Sequence, residues 1–295
     1  MKLRVRDWIT LFLLSIVWGS SFILIKKGVA SFTPFQVGAI RMTLAGLMLA
    51  PTAYRFRKIF PRRHLKWILL AALTGNLLPM FIFPYAQEHV SSAVAGVLNS
   101  TQSIFIITLG AIFLKMHSSR GEIIGVIMAF IGVLLLFVGG EKSATSQDSN
   151  WLYFILLLLA TVFYAINTFI TKRRMRVPAI AWASYIGVAL IVPGAITLLI
   201  TGFFHNFNSY PARWEGLGYI FILSFFGTVL ANIYNYKLIK DTSPLFASNV
   251  ALLLPVVALF WGYVDGEAIG WLQILGSAMI VAGLYFSRRV KKPVK

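Results

Sequence analysis

The sequence contains no cysteine and only nine acidic residues. Without cysteine, disulfide bonds, thiolate catalysis and cysteine-ligated metal sites are excluded. Charged residues of either sign make up only 12% of the 295 residues, whereas a soluble domain has about 25%. That deficit excludes a soluble enzyme, a disordered protein and a coiled coil, because too few charges remain to cover a surface in contact with water.

Motifs that would carry catalysis or hold a metal are also missing. The four histidines are scattered, and the chain has no H-x-x-x-H, G-x-S-x-G or Walker-type sequence. An integral membrane enzyme acting on lipid-linked substrates would need an acid–base set in or at the membrane, and the sequence offers none. We therefore expect a protein that is not an enzyme and that uses no cofactor and no metal.

Long apolar segments are abundant instead. Hydrophobic residues make up 58% of the chain, its mean hydropathy is +0.80, and a bilayer-spanning helix needs about 20 mostly apolar residues. Ten such runs lie at 8–25, 35–54, 67–86, 93–114, 123–140, 151–171, 180–201, 216–236, 245–264 and 268–286. Every charged residue except Arg41 lies outside them. This segregation predicts an all-α integral membrane protein with ten transmembrane helices.

The basic residues outside these runs are shared unevenly between the two sides. With the N-terminus inside, the inner segments carry 22 Lys and Arg and the outer segments carry 4. Cytoplasmic loops of membrane proteins collect Lys and Arg, so we predict a multi-pass protein of the plasma (inner) membrane with both termini in the cytoplasm. The net charge of +18 then follows from topology. The expected partners are the lipid bilayer and a small-molecule substrate, with no nucleic acid.

The two halves of the chain are related. Residues 141–150, EKSATSQDSN, form a polar linker near the middle, which leaves 1–140 and 151–295 as two five-helix repeats. The stretch VWGSSFILIK at 17–26 aligns with FYAINTFITK at 163–172. Because five is odd, the second repeat enters the membrane from the other side. Such inverted repeats are the arrangement of many secondary transporters.

Polar side chains within the apolar runs are the candidates for a substrate site. An intramembrane polar group is costly unless it has a partner or faces a wet cavity, and aromatic walls with polar tips suit metabolites. We therefore predict a substrate-binding cavity formed by Trp18, Ser21, Asn76, Asn99, Gln102, Tyr164, Asn167 and Asn232. The alternative for these residues is hydrogen bonding between helices or ordinary packing, which is routine for Ser, Thr and Asn.

Three other residues in or beside the apolar runs have candidate roles. Arg41 and Glu88 form a candidate charge site, where Arg41 attracts a substrate carboxylate or phosphate. The sequence favours a structural interpretation, in which Arg41 pairs with Glu88 or extends to the outer surface, because it lies near the end of its run. Pro255 interrupts a predicted helix and is a candidate hinge.

Several stretches match one family of membrane transporters. They are WGSSF at 18–22, GAIRMTLAG around Arg41, LNSTQSIF at 98–105, and the segment 252–286, in which Gly-Glu separates two apolar runs. On these residues the chain resembles the drug/metabolite transporter superfamily, specifically its EamA-type ten-helix transporters, over essentially its whole length. The resemblance implies transport of small metabolites, often outward.

We therefore expect a secondary transporter, an exporter or permease of small organic metabolites such as amino acids, working by alternating access between inverted repeats. A pocket of amides, hydroxyls and aromatic rings favours an uncharged or zwitterionic solute. All nine acids and all four histidines lie outside the apolar runs, which predicts a facilitator or exchanger that binds no proton. The alternatives are a nucleotide-sugar or sugar-phosphate carrier of the same superfamily and a non-transporting membrane protein. The expected assembly is a monomer or weak dimer.

Overall fold

The computed structural model describes residues 4–60, 62–114, 120–141 and 151–289. Within these ranges the chain is helical and contains no β-strand, which confirms the all-α prediction for this part of the protein. The predicted linker at 141–150 lies outside the described ranges apart from its first residue.

Fifteen α-helices are present in these ranges. They are α1 Val5–Val29, α2 Pro34–Arg55, α3 Leu65–Ala72, α4 Leu78–Gln87, α5 Ser92–Asn99, α6 Gln102–Leu114, α7 Arg120–Glu141, α8 Trp151–Arg174, α9 Ala179–Ile200, α10 Phe203–Asn206, α11 Arg213–Ile222, α12 Ala231–Asp241, α13 Pro244–Ala247, α14 Val250–Val264 and α15 Trp271–Arg289. Two π-helical segments, Leu73–Leu77 and Leu223–Leu230, join α3 to α4 and α11 to α12.

Six helical stretches in the described ranges are long and apolar enough to cross a membrane. They are Val5–Val29, Arg62–Gln87, Ser92–Gly110, Trp151–Arg174, Ala179–Ile200 and Arg213–Asp241. The other four predicted runs fall on α2, α7, α13 with α14, and α15. Large apolar side chains on the outside of the bundle, such as Phe12, Ile200 and Phe260, are exposed, as expected of a surface that faces lipid.

Contacts between helix termini define two ends of the bundle. At the N-terminal end, the guanidinium of Arg6 lies 3.7 Å from the carboxylate of Asp241, and the ring of Trp8 packs edge-on against Phe246. At the opposite end, where α1 finishes, the imidazole of His89 stacks on Tyr153. Helix α1 therefore runs from one end of the bundle to the other.

Paired glycines allow α7 and α15 to pack closely. The seven-residue glycine spacing in each helix predicts a tight interface. A Cβ atom added to Gly132 would lie 2.6 Å from the carbonyl oxygen of Gly276, and one added to Gly283 would lie 2.5 Å from the carbonyl oxygen of Gly125. Since Cβ atoms do not approach backbone so closely, only glycine fits at these contacts, and the pair forms a scaffold outside the central cavity.

The two largest of four apolar clusters in the described core lie one toward each end. The cluster toward the N-terminal end contains Leu11 and Leu14 of α1, and the cluster toward the opposite end contains Phe22 and Ile25 of the same helix. Trp18 lies between these two pairs along α1. The middle of α1 therefore faces a polar region that separates the two halves of the core.

Candidate functional site

A cavity occupies the middle of the bundle between the two apolar clusters. The volume that the centres of water molecules can reach is about 70 Å³. Because one water needs about 10–15 Å³ by this measure, the cavity can hold several waters or one small solute. All eight residues predicted for a substrate site line this cavity, and Arg41 lines it too. The structure thus brings the predicted residues together, while their role in binding stays a prediction.

Trp18 is fixed to the cavity wall by a hydrogen bond across the two halves of the chain. Its indole Nε1 donates to the carbonyl oxygen of Gly227 at 3.0 Å, within the π-helical segment Leu223–Leu230. A Cβ atom on Gly227 would lie 2.9 Å from the hydroxyl of Ser21, so glycine is needed where α1 approaches this segment. π-Helical turns occur frequently at functional sites.

Three asparagines from both halves meet on another part of the wall. Nδ2 of Asn232 donates to Oδ1 of Asn76 at 2.9 Å. Asn76 belongs to the π-helical segment Leu73–Leu77, and a Cβ atom on the adjoining Gly75 would overlap the amide of Asn167. The two π-helical segments begin 150 residues apart and each contributes to the cavity, so the same local irregularity occurs in both halves.

Asn99 and Gln102 flank a break between α5 and α6. The hydroxyls of Ser100 and Thr101 in the break donate to the carbonyl oxygens of Val97 and Leu98 at 2.6 and 2.7 Å, which satisfies the end of α5. Asn99 is only 7% exposed, and its Oδ1 has no hydrogen-bond partner among the described residues. Within the described ranges, this acceptor is thus buried and unpartnered beside the cavity.

An aromatic wall bounds the cavity toward the opposite end. The rings of Tyr164 and Phe83 stack with centroids 6.0 Å apart, and Phe83 packs against Phe22 at 5.6 Å. Aromatic rings in this arrangement exclude water while presenting a polarizable face. The wall therefore suits the apolar part of a metabolite.

Arg41 lies in the cavity wall and does not pair with Glu88. The side chain is buried, with 8% of the residue exposed, and Nε donates to the hydroxyl of Thr228 at 2.8 Å. In the part of the chain that the structure describes, no carboxylate lies within 4 Å of Arg41, and Glu88 is exposed. The expected pair with Glu88 is thus absent among the described residues, and the guanidinium turns inward to Thr228 instead of outward to water, while a role of Arg41 in binding stays a prediction.

A cluster of charged groups closes the opposite end. The carboxylate of Glu267 accepts hydrogen bonds from Nζ of Lys26 at 2.9 Å and from the backbone and hydroxyl of Ser92 at 3.0 and 2.6 Å. It also accepts from the backbone N–H of Ala93 at 3.0 Å. Asp265 pairs with Lys26 at 2.7 Å and with Lys27. We call Lys26, Lys27, Asp265, Glu267 and the N-terminus of α5 the latch.

The latch forms because α14 ends in a tight turn. Gly266 adopts a left-handed conformation with φ of 77°, and the backbone N–H groups of Gly266 and Glu267 donate to Tyr263 and Gly262 at 3.1 and 2.9 Å. This pattern is the Schellman motif, which favours glycine at the left-handed position. It turns Glu267 back toward α5, where the free N–H groups of the first helical turn attract a negative charge.

The surroundings of Glu267 and Asp265 favour the ionised form of both carboxylates. Burial raises the pKa of Glu267, but the hydrogen bonds from Ser92, Lys26 and Ala93 outweigh burial and hold the pKa below its ordinary value. Burial also acts to raise the pKa of Asp265, and the hydrogen bonds from Lys26 and Lys27 lower it overall. The latch was not predicted from sequence, although a Gly-Glu pair after an apolar run is a signal of such a turn.

The N-terminal end has a different arrangement around Lys172, which the alignment of the halves places opposite Lys26. Nζ of Lys172 donates to the carbonyl oxygens of Ile239, Lys240 and Thr242 at 3.0, 3.1 and 2.8 Å. A second, smaller cavity shares Trp18 and Gln102 with the central one and extends to Ile239 and the start of α14. The second cavity therefore lies on the N-terminal side of the central one.

Two sequence predictions concern residues away from the cavity. Pro255 lies inside α14 and does not line the central cavity, so its role as a hinge stays a prediction. The described ranges contain no group of three or more His, Asp or Glu side chains arranged to hold a metal ion.

The helical bundle, its lipid-facing exterior and its polar central cavity define a membrane protein of the transporter class. The chain belongs to the EamA-like transporter family, which matches residues 7–138 and 151–289. It is therefore a membrane transporter of the drug/metabolite transporter superfamily.

Individual relatives and a solved structure agree with this assignment. The chain is 28% identical to the uncharacterized inner membrane transporter YedA of Escherichia coli (strain K12), covering 92% of this chain and 87% of the relative. It is 25% identical to a probable amino-acid metabolite efflux pump of Salmonella typhimurium (strain LT2), covering 98% of each. A solved crystal structure has a TM-score of 0.67 and 17% identity over 97% of each chain, which shows a shared fold.

Proposed function

We propose that the protein is a secondary transporter that exports small organic metabolites such as amino acids by alternating access. The observation that carries this proposal is the central cavity, which is lined by polar and aromatic residues from both halves of the chain. A transporter needs a solute-sized polar site between two regions that open in turn. The cavity meets that requirement, with the latch at one end and further space toward the other.

The proposed architecture is ten transmembrane helices in two inverted five-helix repeats, 1–140 and 151–295, joined by the linker 141–150. Two observations support it. The family matches the chain twice, once in each half, and a π-helical segment occurs in each half.

The proposed location is the inner membrane, with both termini in the cytoplasm. The similarity to an inner membrane transporter and to a probable amino-acid metabolite efflux pump supports this location and outward transport. With this topology the latch lies on the outer side and the second cavity on the cytoplasmic side of the central one. A latch that closes the outer side while a solute enters from the cytoplasm would suit export.

The proposed cargo is uncharged or zwitterionic, and the transporter works as a monomer or weak dimer. Among the lining residues that the structure describes, none is Asp, Glu or His, which supports a facilitator or exchanger without a bound proton. A nucleotide-sugar or sugar-phosphate carrier remains the alternative cargo class. Such a cargo calls for several cationic side chains, and among the described lining residues the cavity has Arg41 alone.

Counterflow in proteoliposomes tests the proposal. Vesicles loaded with a mixture of the twenty amino acids should take up labelled amino acids present outside. Asn99→Ala and Tyr164→Ala should each lower the rate at least tenfold, which corresponds to about 1.4 kcal/mol for one lost contact. A pH gradient alone should drive no accumulation. Normal rates for both variants would contradict the cavity as the transport site, and uphill uptake driven by pH would contradict the coupling.

A further inference from the structure

Arg41 has hydrogen-bond donors that the protein leaves unused. A guanidinium has five N–H donors and no acceptor. Nε is bonded to the hydroxyl of Thr228 at 2.8 Å, whereas the terminal nitrogens Nη1 and Nη2 have no hydrogen-bond or ion-pair partner among the described residues. These nitrogens are not among the buried atoms without a partner, so they are accessible from the cavity. Nη1 and Nη2 of Arg41 can therefore donate hydrogen bonds to a solute in the cavity.

Two lysines at helix ends, Lys26 and Lys172, show how a cation with a structural role is paired in this protein. Lys26 is bonded to two carboxylates, and Lys172 is bonded to three backbone carbonyls. Arg41 is more deeply buried than either, yet it has one neutral hydroxyl as partner. A charge held inside a membrane protein is costly unless it is paired, and here the pairing group is missing from the described protein itself.

We propose that Arg41 anchors the carboxylate group of the transported solute, so that the substrate class is small zwitterions that carry a carboxylate, such as amino acids. This inference rests on the proposed function and narrows it, because uncharged solutes without a carboxylate are then excluded. A planar carboxylate matches the two outward nitrogens of a guanidinium in a bidentate pair. The apolar part of the solute lies on the aromatic wall of Phe22, Phe83 and Tyr164.

The charge balance of the cavity separates carboxylates from other ligands. One guanidinium neutralises one carboxylate, whereas a phosphate dianion would keep a negative charge that no second cation on the described wall offsets. A solute with an ammonium group and no carboxylate would add a second positive charge beside Arg41, and like charges at short range repel. Amines are therefore predicted to be rejected.

Matched compounds test this inference on the full-length protein in lipid nanodiscs. Leucine, phenylalanine and threonine are each compared with the deaminated acid and the decarboxylated amine: 4-methylpentanoate and 3-methylbutylamine, 3-phenylpropanoate and 2-phenylethylamine, 3-hydroxybutanoate and 1-aminopropan-2-ol. In each set, calorimetry should show binding of compounds that carry a carboxylate. The amine should bind at least tenfold more weakly than these compounds. Amines that bind as well as the acids would overturn the anchor role while leaving transport intact. Binding by none of the nine would count against the amino-acid cargo itself.

Variants of Arg41 supply the second readout. Arg41→Gln should reduce the preference for acid over amine to within about twofold, and Arg41→Lys should retain part of it. Arg173→Gln, at an exposed position on α8, is the matched control and should bind like the wild type. An Arg41→Gln protein that keeps the full preference would contradict the inference. If that variant does not fold, Thr228→Val, which retains the cation, should still prefer acids, and loss of the preference in Thr228→Val would contradict the inference.

Discussion

The two ends of the bundle are held by equivalent lysines with different partners. Lys26 at the latch pairs with two carboxylates, and one of these, Glu267, also binds the N-terminus of α5. Lys172 at the N-terminal end binds three carbonyl oxygens at and beyond the end of α12. Charge-assisted hydrogen bonds between two ions are stronger than those to neutral groups. The latch and the Lys172 contacts, which would act as the two gates of the proposed transport cycle, are therefore unequal in strength.

This inequality has a consequence for the cycle. Opening the latch requires Glu267 to leave both Lys26 and the first turn of α5, whereas opening the N-terminal end requires Lys172 to exchange carbonyl oxygens for water. Lys172 is exposed, whereas the carboxylate of Glu267 is only 5% exposed. Water therefore replaces the hydrogen bonds of Lys172 more readily than those of Glu267. The conformation with the opposite end closed is thus favoured in the absence of solute.

The largest predicted effect on this comparison comes from Glu267→Gln. The change removes the negative charge shared by Lys26 and the α5 N-terminus, at a cost of about 2 kcal/mol for charged hydrogen bonds. The amides at the start of α5 should exchange with deuterium faster, and the apparent melting temperature should fall. Glu215→Gln is the control, since Glu215 is exposed and, among the described residues, its carboxylate accepts a single side-chain hydrogen bond, from the hydroxyl of Tyr219 at 2.8 Å. Unchanged exchange in α5 would show that the latch does not hold this helix.

Lys172→Gln should weaken the other end by less. An exposed ammonium contributes at most about 1 kcal/mol because water competes for its bonds. Deuterium exchange should increase at the end of α12 and the start of α13, with little change in α5. Arg173→Gln serves as the neighbouring control. An effect larger than that of Glu267→Gln would reverse the order of the two gates.

Gly266→Ala tests the turn that directs Glu267. A residue with a Cβ atom in the left-handed region costs about 1 kcal/mol, so this variant should loosen α5 in the same way as Glu267→Gln but more weakly. Gly218→Ala is the matched control, because nothing lies within 4 Å of a Cβ atom there. Equal exchange profiles for Gly266→Ala and the wild type would show that the turn at Gly266 is not needed to hold Glu267 in the latch.

The smallest expected effect is that of pH near neutrality. The pKa values of Glu267 and Asp265 are lowered in the folded protein, so their contribution is complete above the ordinary pKa of about 4 for carboxyl groups and is lost as pH falls through the lowered values. The difference in melting temperature between the wild type and Glu267→Gln should stay constant from about pH 6 to pH 8. A difference that shrinks within that range would mean that a latch carboxylate titrates near neutrality.

The cavity could be predicted from sequence because membranes penalise polar side chains. Asn99, Gln102 and Asn232 stand in apolar runs, and that conflict indicates a wet or partnered site without any knowledge of the fold. The direction in which Arg41 points could not be predicted, since the run containing it allowed both an outward extension to water and an inward bond. Its partner Thr228 is 187 residues away, and only the packing of α2 against the second half decides between them.

The latch and the π-helical segments were beyond sequence reasoning for related reasons. Glu267 and Lys26 are 241 residues apart, and both lie outside the apolar runs, where charged residues are ordinary. The segments Leu73–Leu77 and Leu223–Leu230 each contain a glycine and a threonine, which also occur in the α-helices of this chain, so their composition does not indicate a π-helix. Their geometry follows from the cavity contacts of Asn76 and Gly227, which are tertiary.

Labelling of a single cysteine in the cavity tests the central claim, alternating access to a site closed by the latch, most directly. The natural chain has no cysteine, so Asn99→Cys provides a unique thiol on the cavity wall. In inside-out vesicles a membrane-impermeant maleimide should label it readily, whereas in right-side-out vesicles labelling should be at least tenfold slower and should accelerate when Glu267→Gln is added. Equal labelling from both sides in the presence of the intact latch would contradict the account.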